Sequence, residues 1–192
     1  MFEASSTNVN KINNDIELRE NVISSVKKIA KCILNGGCLY VAGNGGSAAD
    51  SQHFVAEFIS KLSKDRDPIK AISLTVDTSI ITAIGNDYGF ENIFSRQIEA
   101  LINSNDIFFG ITTSGKSKNI LKAIQKAKDK GATTIMLTGE KYQKSNLNCD
   151  LVIRSPGKNT AQIQETHLII YHSICYLTEK QLVEKNFIRY RS

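Results

Sequence analysis

Hydrophobic residues recur at helical spacing over residues 14–34, and the glycine pair at 36–37 then ends the pattern, as is typical of a helix C-terminus. Five short apolar runs follow, each of the length expected for a buried strand. These runs are CLYVA (38–42), AISL (71–74), DIFFGIT (106–112), TTIMLTG (133–139) and DLVIR (150–154). The pattern predicts a long amphipathic helix followed by five strands.

Helical patterns of crossover length separate the apolar runs. They are SAADSQHFVAEFISKLS (47–63), TSIITAI (78–84), FENIFSRQIEALI (90–102) and SKNILKAIQKAKDKG (117–131). Strands and helices that alternate in this way indicate a parallel sheet with helices on both faces. We therefore predict an α/β fold built on a doubly wound, five-stranded parallel sheet.

A further helical pattern closes the chain over residues 160–185. Its apolar positions wrap too far around the helix for one narrow seam, which indicates burial on several sides, as inside a helical subunit interface. The N-terminus lacks a basic start followed by an apolar core, and no apolar run approaches membrane-spanning length. We expect neither secretion nor membrane insertion.

The composition narrows the class of protein. With 192 residues and 41% hydrophobic content, the chain can bury one substantial core, and we expect one domain over residues 1–192. The formal charge of +5 is not gathered into a basic stripe with aromatic residues, which argues against nucleic-acid binding. The mild excess fits a site for an anionic metabolite, although a solvated surface is the simpler explanation. The four cysteines form no CxxC pair, which indicates reduced thiols in a cytoplasmic protein.

Two predicted strands run into polar, glycine-bearing turns, GNGGS (43–47) and TTSGKS (112–117). In an open α/β sheet, ligands collect beyond the carboxyl ends of the strands, where helix N-termini favour anions. The hydroxyls in the second turn could donate hydrogen bonds to a phosphate; they belong to Thr112, Thr113, Ser114 and Ser117. Neither turn is a P-loop or a dinucleotide fingerprint. A purely structural turn remains the alternative for each.

His53 and Glu57 lie one helical turn apart, with Asp50 one turn earlier. An imidazole and a carboxylate at this spacing can reach one divalent ion, and the carboxylate can also act as a base. The alternative is an ordinary helix surface pair. The position of the pair, on the helix that follows a phosphate-type turn, favours the functional interpretation and would place the pair at the same crevice.

Polar residues also interrupt the apolar C-terminal helix: Gln164 and Glu165, then His167 and His172. A single histidine in a helix is more often a satisfied core or interface residue than a ligand. This helix is expected to be buried, yet it carries a glutamine and two histidines. Their number argues against a purely structural interpretation.

Four segments together resemble the phosphoheptose isomerase branch of the sugar isomerase (SIS) domain family, over nearly the whole chain. They are GNGGSAADSQHFVAE, AIGNDYGFENIFSRQIEA, GITTSGKSKNILKAI and IQETHLIIYH, in this order. The resemblance implies a single doubly wound, flavodoxin-like domain with long N- and C-terminal helices in the subunit interface, and a homotetramer with active sites between subunits. It also implies interconversion of sedoheptulose 7-phosphate and glycero-manno-heptose 7-phosphate, the first step towards the heptoses of bacterial surface polysaccharides such as lipopolysaccharide or capsule.

The resemblance also assigns roles to residues of this chain. It implies one zinc ion per subunit, with the ligands His53, Glu57, Gln164 and His172. Glu57 and His172 would be catalytic. The implied substrate contacts are Asn44, Gly45, Gly46, Ser47, Glu57, Asn86, Asp87, Thr112, Thr113, Ser114, Ser117 and Gln164.

The chain departs from the family pattern at three positions. Ala161 and Gln162 stand where relatives often carry an Asp-Arg pair, and Lys61 stands where they often carry an arginine. None of these changes removes an implied ligand, but each could alter sugar preference or subunit contacts.

Two other functions stay open beside the enzyme. One is a regulator of the same family that binds the bacterial replication initiator, and the other is a phosphosugar sensor without turnover. Regulators of this kind lose the acidic and second histidine positions, whereas this chain keeps Glu57 and His172. We therefore favour the enzyme.

Helix geometry raises a question about the zinc ligands. Gln164 and His172 are separated by about 12 Å along a regular helix and about 80° around it, which nearly exhausts the reach of both side chains. We therefore predict a composite site in which these two ligands come from different chains, or in which one helix lends only one of them.

Overall fold

A computed structural model describes residues 2–142 and 149–191 of the protein. The helices in this part of the chain are α1 (Phe2–Asn14), α2 (Ile16–Leu34), α3 (Gly46–Ile59), α4 (Thr78–Tyr88), α5 (Ser95–Leu101), α6 (Lys118–Asp129) and α7 (Thr160–Glu184). The strands are β1 (Leu39–Gly43), β2 (Ala71–Ser73), β3 (Ile107–Thr112), β4 (Thr133–Gly139) and β5 (Leu151–Ser155). A 3₁₀ turn, Phe90–Asn92, lies between α4 and α5.

The strands form one five-stranded sheet in the order β2-β1-β3-β4-β5, and every neighbouring pair is parallel. Each strand agrees with its predicted apolar run to within one residue at both ends. The prediction of a doubly wound parallel sheet is therefore confirmed.

Helices cover both faces of the sheet. Side chains on a strand alternate between the two faces, and both faces carry apolar side chains that must be buried. In β3, Ile107 and Phe109 pack into the core cluster that also holds residues of α2, α3 and α7. Phe108, between them, belongs to the opposite cluster with residues of α5 and α6. Among the described residues, no helix is both long and apolar enough to cross a bilayer.

The structure differs from the sequence-based prediction at several helices. The helix predicted over residues 47–63 ends at Ile59, and a loop then leads to β2. The single helix predicted over residues 90–102 is instead the 3₁₀ turn followed by α5, and the helix predicted over residues 78–84 extends to Tyr88. Helix α1 was not predicted, because its sequence, FEASSTNVNKINN, is polar and rich in weak helix formers. It is held by contacts with α7, among them a hydrogen bond from Ser5 Oγ to Glu165 Oε2 at 2.7 Å.

Helix α4 has no buried residue. Asp77 caps its N-terminus by accepting a hydrogen bond from the Ile80 N–H at 2.9 Å, and Ile81 and Ile84 pack only partly against the core. Ile80 is exposed. The chain itself therefore leaves much of this helix uncovered.

Candidate active site

The polar turns that follow β1 and β3 open at the same point of the sheet. The two strands are neighbours, yet α3 packs on one face of the sheet and α6 on the other. In an open α/β sheet, this reversal creates the crevice in which ligands bind.

A pair of asparagines joins the two turns. Asn44 Nδ2 donates to Asn119 Oδ1 at 2.9 Å, and Asn119 Nδ2 donates back to Asn44 Oδ1 at 2.7 Å. Asn119 is buried, and its Oδ1 also accepts the backbone N–H of Ile120. Asn119 was not predicted as a site residue, because nothing in the sequence distinguishes it from an ordinary polar residue in the first turn of a helix. Its bond fixes Asn44 relative to α6.

The turn after β1 needs both of its central glycines. Gly45 caps α3 with a positive φ of 54°, a backbone conformation that suits glycine. At Gly46, a Cβ atom would overlap the amide of Gln164 on α7. The Ser47 side chain is buried, and its N–H donates to the Asn44 carbonyl at 2.9 Å. The turn is therefore packed directly against α7.

The turn after β3 presents a group of hydroxyls before α6. The Thr112 and Ser117 hydroxyls are hydrogen-bonded at 2.9 Å, and Ser114 Oγ accepts the Lys116 N–H at 3.1 Å. Ser114 is exposed, and the backbone of the turn is anchored because the Thr113 carbonyl accepts the Gly139 N–H at 3.2 Å. The hydroxyls and the N-terminus of α6 can together bind an anion.

Two helices bring together three side chains that could hold a metal ion. His53 and Glu57 project from α3, and His172 projects from α7. His53 Nε2 lies 2.9 Å from His172 Nε2 and 3.6 Å from Glu57 Oε1. One ligand atom of each residue lies within 4.8 Å of the other two. We call these three residues the His–Glu–His cluster.

The cluster fits a divalent metal ion. Two imidazole nitrogens and a carboxylate oxygen are a common ligand set for zinc. Glu57 Oε2 is buried and lacks a hydrogen-bond partner among the described residues, so it is available for a ligand. Burial, together with the neighbouring His53, lowers the pKa of His172, which favours the neutral imidazole that binds metals.

An aromatic layer holds the cluster on its inner side. Tyr171 is fully buried and stacks on Phe54 with ring centroids 5.3 Å apart, and it forms a T-shaped contact with the His53 ring. The Tyr171 hydroxyl donates to Asp50 Oδ1 at 3.5 Å. Burial raises the pKa of Asp50 to about 6, despite the opposing effects of Tyr171 and His53. The contact with Tyr171 therefore restricts the orientation of the His53 ring.

The cluster and the phosphate-type turns are separate. Because a helix rises 1.5 Å per residue, His53 lies about 10 Å along α3 from Gly46. The cluster joins α3 to α7 through the contact between His53 and His172. That the pair lines the same crevice as the turns stays a prediction.

The two C-terminal candidates also lie apart. His172 joins His53 and Glu57 of its own chain, whereas the Gln164 amide lies against Gly46, at the beginning of α3. Three cluster residues therefore come from one chain and need no partner subunit. Both alternatives predicted from helix spacing stay predictions, because the chain that supplies Gln164 to the metal is not determined by the contacts of one chain.

Other candidate residues lie outside the cluster. Asn86 and Asp87 are exposed in the last turn of α4, where Asn86 Nδ2 donates to Asp87 Oδ1 at 2.7 Å. His167 is fully buried in α7 and is not among the clustered ligands. Neither Asn86 nor Asp87 is hydrogen-bonded to the cluster within the described part of the chain.

The three departures from the family pattern lie at helix ends. Lys61 is exposed just after α3, and Ala161 is exposed in the first turn of α7. Gln162 Oε1 accepts the Lys158 N–H at 3.0 Å, which closes the turn before α7. None of the three belongs to the His–Glu–His cluster.

Comparisons with known proteins agree with this architecture. Residues 6–139 match the SIS domain family. The chain is 46% identical over 170 residues to a phosphoheptose isomerase of Burkholderia pseudomallei, covering 86% of each chain. It is 48% identical over 172 residues to phosphoheptose isomerase 2 of Campylobacter jejuni, covering 88% of this chain and 86% of the relative.

A solved structure extends the similarity to three dimensions. The structure of a phosphoheptose isomerase from Francisella tularensis matches with a TM-score of 0.88 and 38% sequence identity, over 93% of this chain and 94% of that one. The sequence match to the Burkholderia protein covers most of both chains, and the structural match covers nearly all of this chain. The protein therefore belongs to the phosphoheptose isomerase family of SIS-domain proteins.

Proposed function

We propose that the protein is an aldose–ketose isomerase that interconverts D-sedoheptulose 7-phosphate and D-glycero-D-manno-heptose 7-phosphate. The observation that carries the proposal is the convergence of His53, Glu57 and His172, with Glu57 Oε2 buried and unpartnered among the described residues. Relatives 46% and 48% identical that are named phosphoheptose isomerases support the choice of reaction.

Glu57 would act as the base that moves a proton between C1 and C2 through an enediolate. A carboxylate next to a reacting carbon can take and return the same proton, and burial keeps water from competing for it. The Glu57 side chain is 14% exposed, so it can meet a substrate in the groove while most of its surface is shielded. His172, on the facing helix, would exchange protons with the sugar oxygens through the ring nitrogen that does not bind the metal.

The same residues would hold one zinc ion per subunit, through His53, Glu57 and His172, with Gln164 as the fourth ligand implied by the family. When bound, such an ion polarises a sugar oxygen and stabilises the negative charge that develops on it. The lowered pKa of His172 supports this assignment, as does Glu57 Oε2, which has no hydrogen-bond partner among the described residues.

The two polar turns would bind the rest of the substrate. Ser114 and Ser117, with Thr112 and Thr113, would bind the phosphate, and the turn at 44–47 would contact the sugar. A seven-carbon sugar phosphate carries its reacting carbons and its phosphate at opposite ends, so a phosphate turn that is remote from the cluster suits this substrate. Asn86, Asp87 and Gln164 complete the proposed contacts.

The domain organisation, assembly and cellular role are proposed from the family resemblance. We propose a single SIS domain over residues 1–192, a homotetramer with sites between subunits, and a cytoplasmic enzyme that supplies heptose for surface polysaccharide. The uncovered α4, with its exposed Ile80, supports an assembly that covers it. A regulator or a sensor would need no proton-transfer pair, so the presence of Glu57 and His172 in one cluster supports the enzyme instead.

Replacement of Glu57 tests the reaction. Glu57→Gln, folded and metal-loaded, is expected to lose about 100-fold or more in kcat and to stop exchanging solvent deuterium into C2 of the product. The matched control is Glu165→Gln on α7, whose carboxylate binds Ser5. Near-normal turnover and deuterium exchange in Glu57→Gln would show that another group moves the proton.

A further inference from the structure

The loop that follows α3 sends one arginine back beneath the helix. Arg66 is 3% exposed, and its Nη2 donates to the Glu57 carbonyl at 2.6 Å. Its Nη1 donates to the Phe58 carbonyl at 2.9 Å and to the Asp67 carbonyl at 2.9 Å. The last carbonyls of a helix lack intrahelical partners, so the guanidinium satisfies the end of α3 at the residue that carries the proposed base.

A buried glutamate on α7 holds this arginine. Arg66 Nε donates to Glu179 Oε2 at 2.7 Å, and Glu179 is 2% exposed. Glu179 follows His172 by seven residues, which is close to two full turns, so both side chains leave α7 on nearly the same side. The ion pair therefore ties α3 to α7 on the side of α7 from which His172 meets the cluster.

The C-terminal segment keeps the loop in place. Residues 66 and 190 form an antiparallel bridge, and the Asp67 N–H donates to the Arg189 carbonyl at 3.1 Å. Arg191 Nη2 also forms an ion pair with Asp67 Oδ1 at 2.9 Å, but this pair is exposed and stabilises the loop little. The loop is thus fixed from outside, and the Arg66 guanidinium has a defined position under α3.

We propose that Arg66 is a positioning residue for the His–Glu–His cluster, acting through the Glu57 carbonyl and anchored by Glu179. The cluster needs side chains from two helices at distances near 3 Å, and side chains of neighbouring helices keep such distances only if the helices cannot slide. Apolar packing between α3 and α7 is not directional, whereas a guanidinium that binds specific carbonyls and one carboxylate fixes both translation and rotation. This inference rests on the proposed role of Glu57.

Two variants separate positioning from simple stabilisation. Arg66→Lys keeps the charge but loses the planar fork that reaches several carbonyls at once. The double variant Arg66→Met with Glu179→Met removes both charges together, so that no unpaired charge stays buried, and pairs of this kind are often replaced with little loss of stability. Arg191→Met is the matched control, because it removes an exposed ion pair from the same region without touching α3.

The measurements are far-UV circular dichroism, affinity for Co²⁺, the visible spectrum of the Co²⁺-loaded protein, and kcat and KM for the heptose phosphate. For folded Arg66→Lys and for the double variant, we expect metal affinity or kcat to fall by about 10- to 100-fold, with KM changed by less than about threefold. The Co²⁺ spectrum should change shape, because ligand geometry changes, and Arg191→Met should match the wild type.

Wild-type spectrum, affinity and kcat in folded Arg66→Lys and in the folded double variant would overturn the inference and leave Arg66 a stabilising residue only. A wild-type protein without isomerase activity would refute the proposed function instead, while the Co²⁺ comparison would still decide whether Arg66 positions the cluster. If the wild-type protein isomerises the substrate without binding Co²⁺, the kcat values of the folded variants decide: a reduced kcat supports the inference, and a wild-type kcat overturns it.

Discussion

Acidification should destabilise the fold through His167, which the proposed mechanism does not use. The residue is fully buried, and neither ring nitrogen has a hydrogen bond of good geometry within the described residues. Burial lowers its pKa from 6.5 to about 4, with a smaller opposing effect from the Thr138 backbone. The folded protein therefore holds this histidine neutral, whereas the unfolded chain protonates it below about pH 6.5.

The sign and size follow from this difference. Between about pH 6.5 and about pH 4 the unfolded state binds more protons than the folded state, so stability falls as the pH falls. A pKa difference from 6.5 to about 4 corresponds to about 3 kcal/mol, of which about 1.4 kcal/mol is lost by about pH 5.5. Above about pH 7 this contribution is constant.

Urea unfolding of metal-free protein, at one protein concentration and several pH values, measures the effect against His167→Gln. Both proteins share every other titrating group, so the difference between their unfolding free energies isolates His167. We expect this difference to change by about 3 kcal/mol between about pH 7.5 and about pH 4, with the wild type losing more. Parallel curves for the two proteins would refute the reasoning, because they would mean that His167 does not have a lowered pKa in the fold.

Two further predictions concern the site. Replacing both Ser114 and Ser117 by alanine should raise KM more than it lowers kcat, because phosphate binding is largely shared by ground and transition states; an unchanged KM would exclude the role, and Ser104→Ala, in the loop before β3, is the control. Mixing inactive His172→Ala and Glu57→Gln proteins under subunit exchange should restore no activity, because each chain brings its own His172 to its own Glu57; recovered activity in mixed oligomers would show that these residues are shared between chains.

The sequence predicts the sheet well because its strands are apolar runs bounded by polar turns. β4, for example, has the predicted bounds Thr133–Gly139, since burial on both faces requires a continuous run. Helix α1 escapes prediction because its contacts with α7, rather than its own residues, stabilise it. The local sequence pattern contains no information on these contacts with α7.

The candidate site shows the same division. The spacing of His53 and Glu57 on one helix face is a local property, so the sequence predicts that they can act together. Their meeting with His172 depends on how α3 and α7 align, which no local pattern encodes. Arg66 is harder still, because a lone arginine in a polar loop has no signal until the fold buries it beside Glu179.

Helix α4 carries a consequence for hydrogen exchange. An isolated helix of 11 residues is only marginally stable in water, and α4 gains no buried residue from the rest of its chain. Its amide hydrogens should therefore be among the first to exchange with solvent in dilute protein, and more slowly wherever another surface covers the helix. Asn86 and Asp87 occupy its last turn. The binding free energy of any ligand that they contact is therefore reduced by the entropy lost when this segment is ordered.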